Sequence, residues 1–326
     1  MNGTTTMIGA IRDAIDEEMA RDDRVIMLGE DIGVMGGPFG SSRGLLEKYG
    51  PERIITTPIS EWGFTGIAVG AAMRGMRPVV ELMYNDFISV CLDTIMNQAA
   101  KMHYMTGGQI NVPMVLRAPM GTGRRGAAQH SQNLESFFAH IPGLKLICPS
   151  NAKDAKGLLK SAIRDDDPVV FLEHKFLYPR KEPVSDSEEL IPIGKAAVRR
   201  AGRDVTILTW SRQVNSSLEA AEALEKEGIL AEVIDLRTLV PLDWETIRES
   251  VSRTHRVVIV EEDVKRCGFG AELAAEAADE LFDELDAPVR RVASLNTSVP
   301  FSAPLEDAVY PHPDQIESAV KALVEE

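Results

Sequence analysis

Apolar runs of strand length alternate with segments of helical periodicity along almost the whole chain. This alternation constrains the fold more than any single residue does. Parallel strands buried on both faces read as continuous apolar runs, and they need helical crossovers between them. Ile8, Ile11, Ile15 and Met19 recur at helical spacing, with Thr4 to Thr6 as candidate caps. Val25 to Leu28 reads as a strand, Pro78 to Met83 as another apolar run, and Phe87 to Tyr104 as a helix with Ile95, Ala99 and Met102 on one side. Met114–Leu116, Leu144–Ile147 and Pro168–Leu172 are strands, and Ala152–Ile163 is a helix. The pattern breaks between Tyr178 and Glu189, where prolines and charges read as a linker. A second alternating set follows, with strands at Val205–Trp210, Ile229–Leu236, Val257–Val260 and Val289–Val292. Its helices are Ser217–Lys226, Trp244–Val251 and Ala271–Leu281. The expectation is an α/β protein of two domains, 1–185 and 186–326.

The formal net charge of -15 disfavours a nucleic-acid surface and electrostatic adhesion to anionic lipid. Three dispersed cysteines, Cys91, Cys148 and Cys267, without a CxxC pair, read as reduced thiols rather than a disulfide framework or zinc site. No basic flank precedes an apolar run at the N-terminus, and no uncharged apolar stretch reaches membrane-spanning length. A cytoplasmic protein is therefore expected.

The stretch from Thr57 to Gly66 sets one carboxylate, Glu61, among apolar residues and glycines. A carboxyl group there either has a raised pKa or shares a proton with a ligand, and Gly63 and Gly66 let backbone approach that ligand. The competing reading is a helix start, with Ser60 and Glu61 as a capping pair. Gly121 to Gly126 fits GxGxxG, but the next strand ends in Cys148-Pro149-Ser150 with no acid, so a dinucleotide site is poorly supported. The same loop leads to His130, which is either a proton shuttle or substrate donor, or a surface histidine that holds the loop. Gly40 to Gly44 fits G-x-S-x-G without the strand that a nucleophile elbow needs.

Several runs, in order and spacing, resemble the beta subunit of the heterotetrameric, thiamine-diphosphate-dependent 2-oxo acid dehydrogenase first component. They include Gly29-Glu30-Asp31, Thr57-Pro58-Ile59-Ser60-Glu61, the run from Gly70 to Pro78, Gln129-His130-Ser131-Gln132 and Asp235-Leu236-Arg237-Thr238. The family covers pyruvate, acetoin and branched-chain 2-oxo acid dehydrogenase beta subunits. The resemblance implies a pyrimidine-binding domain followed by a transketolase C-terminal-like domain. It implies that Glu61 bonds the aminopyrimidine ring nitrogen of thiamine diphosphate, favouring the imino form that takes the proton from the thiazolium carbon. Ile59, Met83 and Phe87 match positions beside that ring. His130 matches a histidine near the substrate and the lipoyl arm, with proton donation during acyl transfer as its implied role. Met114, Ala162, Asp165 and Asp167 match positions whose backbone carbonyls hold a structural potassium ion in relatives.

Thiamine diphosphate enzymes usually anchor the diphosphate and its magnesium ion through Gly-Asp-Gly, and none occurs in this chain. The resemblance therefore implies an alpha subunit that brings magnesium, in a two-alpha, two-beta tetramer, and docking to a dihydrolipoyl acyltransferase core. Pyruvate is the favoured substrate. Acetoin and branched-chain acids are the alternatives on the same scaffold, and a non-catalytic assembly subunit is the alternative from another class.

Overall fold

The computed structural model describes residues 3–184 and 189–325 and resolves into two compact units. Met1–Met120 with Phe137–Ile193 form the first, and Gly121–Ser136 with Gly194–Glu326 form the second. The domain boundary expected between residues 185 and 186 lies outside the described residues.

The first unit begins with β1 (Gly3–Thr6), α1 (Met7–Arg21), β2 (Val25–Gly29), α2 (Leu45–Tyr49), β3 (Ile54–Thr56), α3 (Glu61–Met73) and β4 (Arg77–Glu81). It continues with α4 (Ile88–Asp93), α5 (Met102–Met105), β5 (Val115–Met120), α6 (Glu135–Ala139, whose first two residues cluster with the second unit), β6 (Lys145–Ile147), α7 (Ala152–Arg164), β7 (Val169–His174) and β8 (Lys181–Val184). Thr6 caps α1 as the sequence suggested: it is extended, and its hydroxyl accepts from the Gly9 amide at 3.1 Å. The helix buries Ile11, Ile15 and Met19 in one core with Leu158, Leu159 and Ile163 of α7. Each such side chain contributes about 1.5–3 kcal/mol when fully buried. The strands run parallel in the order β6-β7-β5-β4-β2-β3, with β2 in register from Val25 opposite Arg77 to Gly29 opposite Glu81. β2, β5 and β7 are buried along their whole length, which is why they read as unbroken apolar runs.

Two expectations fail locally. The stretch read as a linker from Tyr178 begins as structure. Tyr178 is buried, and Lys181–Val184 pairs antiparallel with Gly3–Thr6. Pro183 is tolerated because a two-stranded ribbon leaves one side of each strand unpaired. The single helix expected from Phe87 to Tyr104 is instead a 3₁₀ turn, α4, a π-helical segment at Thr94–Ala99 and α5. The Ala100 amide bonds Ile95 O at 3.0 Å, five residues back, and the backbone widens there to meet Gly143.

The second unit contains β9 (Ala197–Arg200), β10 (Val205–Thr209), α8 (Gln213–Glu225), β11 (Ala231–Asp235), β12 (Thr238–Val240) and α9 (Trp244–Thr254). β13 (Val257–Val264), α10 (Phe269–Glu280), β14 (Arg290–Ser294), α11 (Ala303–Asp307) and α12 (Pro313–Val324) complete it. Its sheet has the order β14-β13-β10-β11-β9, parallel except for β9 at the edge. Val205, Ile207, Val233 and Val258 pack with Leu224, Ile316 and Val320 in its core. Among the described residues no helix is long and apolar enough to cross a membrane.

Candidate active site

In an open parallel sheet, ligands meet the chain where loops leave the carboxyl ends of the strands. β4, β2 and β3 are neighbours in the first unit. Glu30 follows the end of β2, Thr57 to Ser60 follow β3, and Leu82 and Met83 follow β4. Topology thus brings three loops to one edge of the sheet.

Glu61 is the first residue of α3 and is only 8% exposed. Among the described residues no hydrogen bond or ion pair engages its carboxylate. The reading of Ser60 and Glu61 as a helix start is right as to position, yet the Ser60 side chain makes no capping bond. Glu30, 6% exposed, has Oε1 buried without a hydrogen-bond partner, and the Thr57 hydroxyl is likewise unsatisfied. Burial, then the charges of Glu61 and Asp31, push the Glu30 carboxyl upward and favour its protonated form. Native proteins seldom leave such groups unpaired, so the edge carries hydrogen-bonding capacity suited to a polar ligand. That capacity fits the nitrogens and amine of an aminopyrimidine ring.

The expected ring walls lie on the same loops. Ile59 is 82% exposed, while Met83 and Phe87 are half-buried, with the Phe87 ring edge-on to Tyr84 at 5.9 Å. Phe87 leads directly into α4, which packs on α3 and carries Cys91. Burial pushes the Cys91 thiol up to about 12; the Thr65 hydroxyl opposes that shift and the Glu61 charge adds to it. Gly63 and Gly66 lie in the first two turns of α3. They line an open groove of about 560 Å³ with Trp62, Ile67, Met73 and Gln98.

His130 belongs to the second unit, on the Gly121–Ser136 segment, and is half-buried. Its amide donates to Ala127 O at 3.4 Å. Arg125 and Ala127 both have φ of 58°, and a Cβ at Gly126 would stand 2.8 Å from His130 O. The next helix after the Gly121 loop, α6, begins only at Glu135, so the loop lacks the direct strand–turn–helix geometry of a dinucleotide site. The Ser42 hydroxyl of the G-x-S-x-G run is buried and donates to Ile32 O at 2.6 Å, so it holds a loop.

The four positions matched to potassium ligands lie in the first unit. Met114 O accepts from the Val169 amide at 2.9 Å, and Ala162 O accepts from the Asp165 amide at 3.3 Å. Asp165 O accepts from the Arg77 guanidinium at 2.8 Å. Lys145 Nζ neutralises the carboxylates of Asp165 at 2.7 Å and Asp167 at 3.0 Å. Any further cation there would rely on backbone carbonyls. Among the described residues no cluster of three His, Cys, Asp or Glu side chains could hold a metal.

Glu30 lies in the Gly29-Glu30-Asp31 run, and its role was not legible from the sequence. The available signal was the place of that motif: an acid immediately after an apolar strand sits at the carboxyl edge of the sheet.

Two family models match the chain. "Transketolase, pyrimidine binding domain" covers residues 4–181, and "Transketolase, C-terminal domain" covers 194–316. A solved structure, an inactive beta4 tetramer of a split-gene transketolase, superposes with a TM-score of 0.78 at 22% identity over 99% of both chains, which supports the fold. Fold and site together define a transketolase-type, thiamine-diphosphate class of chain. The pyruvate dehydrogenase E1 component subunit beta-2 of Oryza sativa is 50% identical over 97% of this chain and 85% of its own length. Its Rickettsia felis counterpart is 48% identical over 98% of both. The acetoin:2,6-dichlorophenolindophenol oxidoreductase subunit beta of Cupriavidus necator is 49% identical over 96% of this chain and 95% of its own. The chain belongs to the family of 2-oxo acid dehydrogenase E1 beta subunits, as the order of its motifs indicated.

Proposed function

We propose that the chain is the beta subunit of a pyruvate dehydrogenase, catalysing oxidative decarboxylation with an alpha subunit in a two-alpha, two-beta tetramer. It delivers the acyl group to the lipoyl arm of a dihydrolipoyl acyltransferase. The observation that carries this reading is Glu61, a buried carboxylate without a protein partner at the carboxyl edge of the sheet. Thiamine diphosphate, when bound, supplies the electron sink that lets the bond beside the carbonyl break. Glu61 holds a proton against the pyrimidine nitrogen, and Ile59, Met83 and Phe87 give the flat ring apolar walls. His130 donates a proton during acyl transfer. The diphosphate and magnesium are held by the alpha chain, since Gly-Asp-Gly is missing here. Carbonyls of Met114, Ala162, Asp165 and Asp167 take a structural potassium ion. The domain division at 185/186 and a cytoplasmic location belong to the same reading.

The relatives' names support pyruvate, and the Cupriavidus necator relative at 49% identity supports acetoin as the second reading. Co-expression with the matched alpha subunit and assay on pyruvate, acetoin and 2-oxoisovalerate separates them. Glu61→Gln is expected to abolish turnover while the tetramer still assembles. Undiminished turnover in that variant would favour a non-catalytic assembly role.

A further inference from the structure

The Gly121–Ser136 segment carries His130 in a backbone that should not persist unaided. Arg125 and Ala127 both take left-handed backbone, which a residue with a Cβ adopts only against a steric cost. Such strain survives only where surrounding contacts over-determine it. Those contacts come from acids of the second unit. Glu262 accepts both the Thr122 amide and its hydroxyl at 2.8 Å. Glu306 is completely buried; it accepts the Gly123 amide at 2.7 Å and pairs with the Arg125 guanidinium. Asp307 takes two more bonds from Arg125, at 3.0 and 3.3 Å. The Tyr310 hydroxyl braces Asp307 at 3.2 Å, and Arg212 stacks on Tyr310 at 4.3 Å while donating to Thr122 Oγ1 at 3.2 Å.

We infer that Arg125, gripped by Glu306 and Asp307 of α11, is a positioning residue that fixes the strained loop and so sets the His130 imidazole for acyl transfer. The inference rests on the proposed role of His130. A fork of guanidinium donors held by two carboxylates defines direction as well as distance, which a lone ammonium would not. Arg125 is five residues from His130, and Gly126 between them has no room for a side chain. A twist at Arg125 must therefore pass along the backbone to the histidine.

The test uses the assembled alpha–beta tetramer carrying Arg125→Ala, Arg125→Lys or His130→Ala. Turnover is followed with a dye acceptor, 2,6-dichlorophenolindophenol, and separately with an isolated lipoyl domain. Hydrogen exchange is measured on the peptide spanning residues 121–136. The expected result for Arg125→Ala is faster exchange there and acyl transfer to the lipoyl domain slowed about ten- to hundredfold. Dye-coupled turnover stays within about twofold, and Arg125→Lys recovers part of the transfer rate. Native exchange, or native acyl transfer while His130→Ala is slow, overturns the inference. Native transfer in His130→Ala defeats the underlying reading instead. The clamp is then judged on exchange alone, retained if Arg125→Ala exchanges faster and rejected if it does not.

Discussion

Arg117 donates from Nε and Nη2 to the two carboxylate oxygens of Glu173, at 2.6 and 2.7 Å, with both side chains almost wholly buried. Its remaining Nη1 reaches Glu81 Oε2 at 2.6 Å, and Tyr178 donates to Glu173 at 2.7 Å. Ser41 and Gly37 close over Glu81 from the loop after β2. Burial opposes the guanidinium charge, but Glu173 and then Glu81 outweigh it and hold Arg117 charged. The network ties the carboxyl ends of β4 and β7 to the middle of β5, just before the loop that leaves β4 for Met83.

Arg117→Ala leaves two buried carboxylates without a counter-charge. A loss of about 3–5 kcal/mol is expected, read from denaturant unfolding. Arg117→Ala combined with Glu81→Gln and Glu173→Gln should recover part of that loss, because the stranded charges go with the arginine.

A pH dependence follows from the second unit. Glu135 is buried, accepts from Trp210 Nε1 at 3.1 Å, and leaves Oε2 unpaired. Burial, then the charge of Asp263, pushes Glu135 up to about 8, and burial pushes Asp263 up to about 7. An unfolded carboxyl group ionises near pH 4, so between about pH 4 and 8 the folded chain binds more protons than the unfolded one. The stability contribution is complete below the unfolded pKa and is lost as pH rises through the folded values. Thermal unfolding of the wild type should weaken from pH 6 to 8, and Glu135→Gln, which keeps the acceptor for Trp210, should flatten that slope. An equally steep fall in the variant would assign the effect to other groups.

The elements legible in the sequence were those whose periodicity reports burial. Ile8, Ile11, Ile15 and Met19 gave α1, and the apolar runs gave β2, β5, β7, β10 and β13 to within a few residues. Elements whose reason is tertiary were not legible. Lys181–Val184 is a strand only because Gly3–Thr6 lies beside it, and the π-helical segment departs from α geometry where Gly143 meets Ala100. In the site, Glu61 stood out as an acid among apolar neighbours. Arg117 gave no such signal, since its partners lie 36 and 56 residues away. Glu262 and Glu306, 140 and 183 residues from the amides they accept, were equally silent.

Thiol reactivity should divide along burial. Cys91 is fully buried with its thiol pushed up to about 12, chiefly by desolvation, so almost none of it is thiolate at pH 8. Cys267 is exposed. Brief iodoacetamide treatment of the native chain followed by peptide mass mapping should label Cys267 and spare Cys91. Denaturant should equalise them, and prompt labelling of Cys91 in the native state would contradict its burial.

Gly143 has φ of 103°, and a Cβ there would lie 2.1 Å from the Ala100 carbonyl oxygen. The atom that the Cβ would meet belongs to the backbone, so no side chain can rotate out of the way. Lys101 Nζ holds the neighbouring Pro142 carbonyl at 2.5 Å, which pins the approach from the other side. Relief would have to come from displacing the π-helical segment that ends at Ala99, and with it α4 and Phe87, the residue proposed as a ring wall. Gly143→Ala is therefore expected to cost about 1–3 kcal/mol from overpacking alone, with left-handed strain added. Chemical denaturation reads the stability loss. Thiamine diphosphate affinity of the assembled tetramer, measured by activation at limiting cofactor, should weaken in parallel if the displaced segment drags the ring wall with it. Stability lost with unchanged cofactor affinity would mean that the strain is absorbed around Gly143 before it reaches α4.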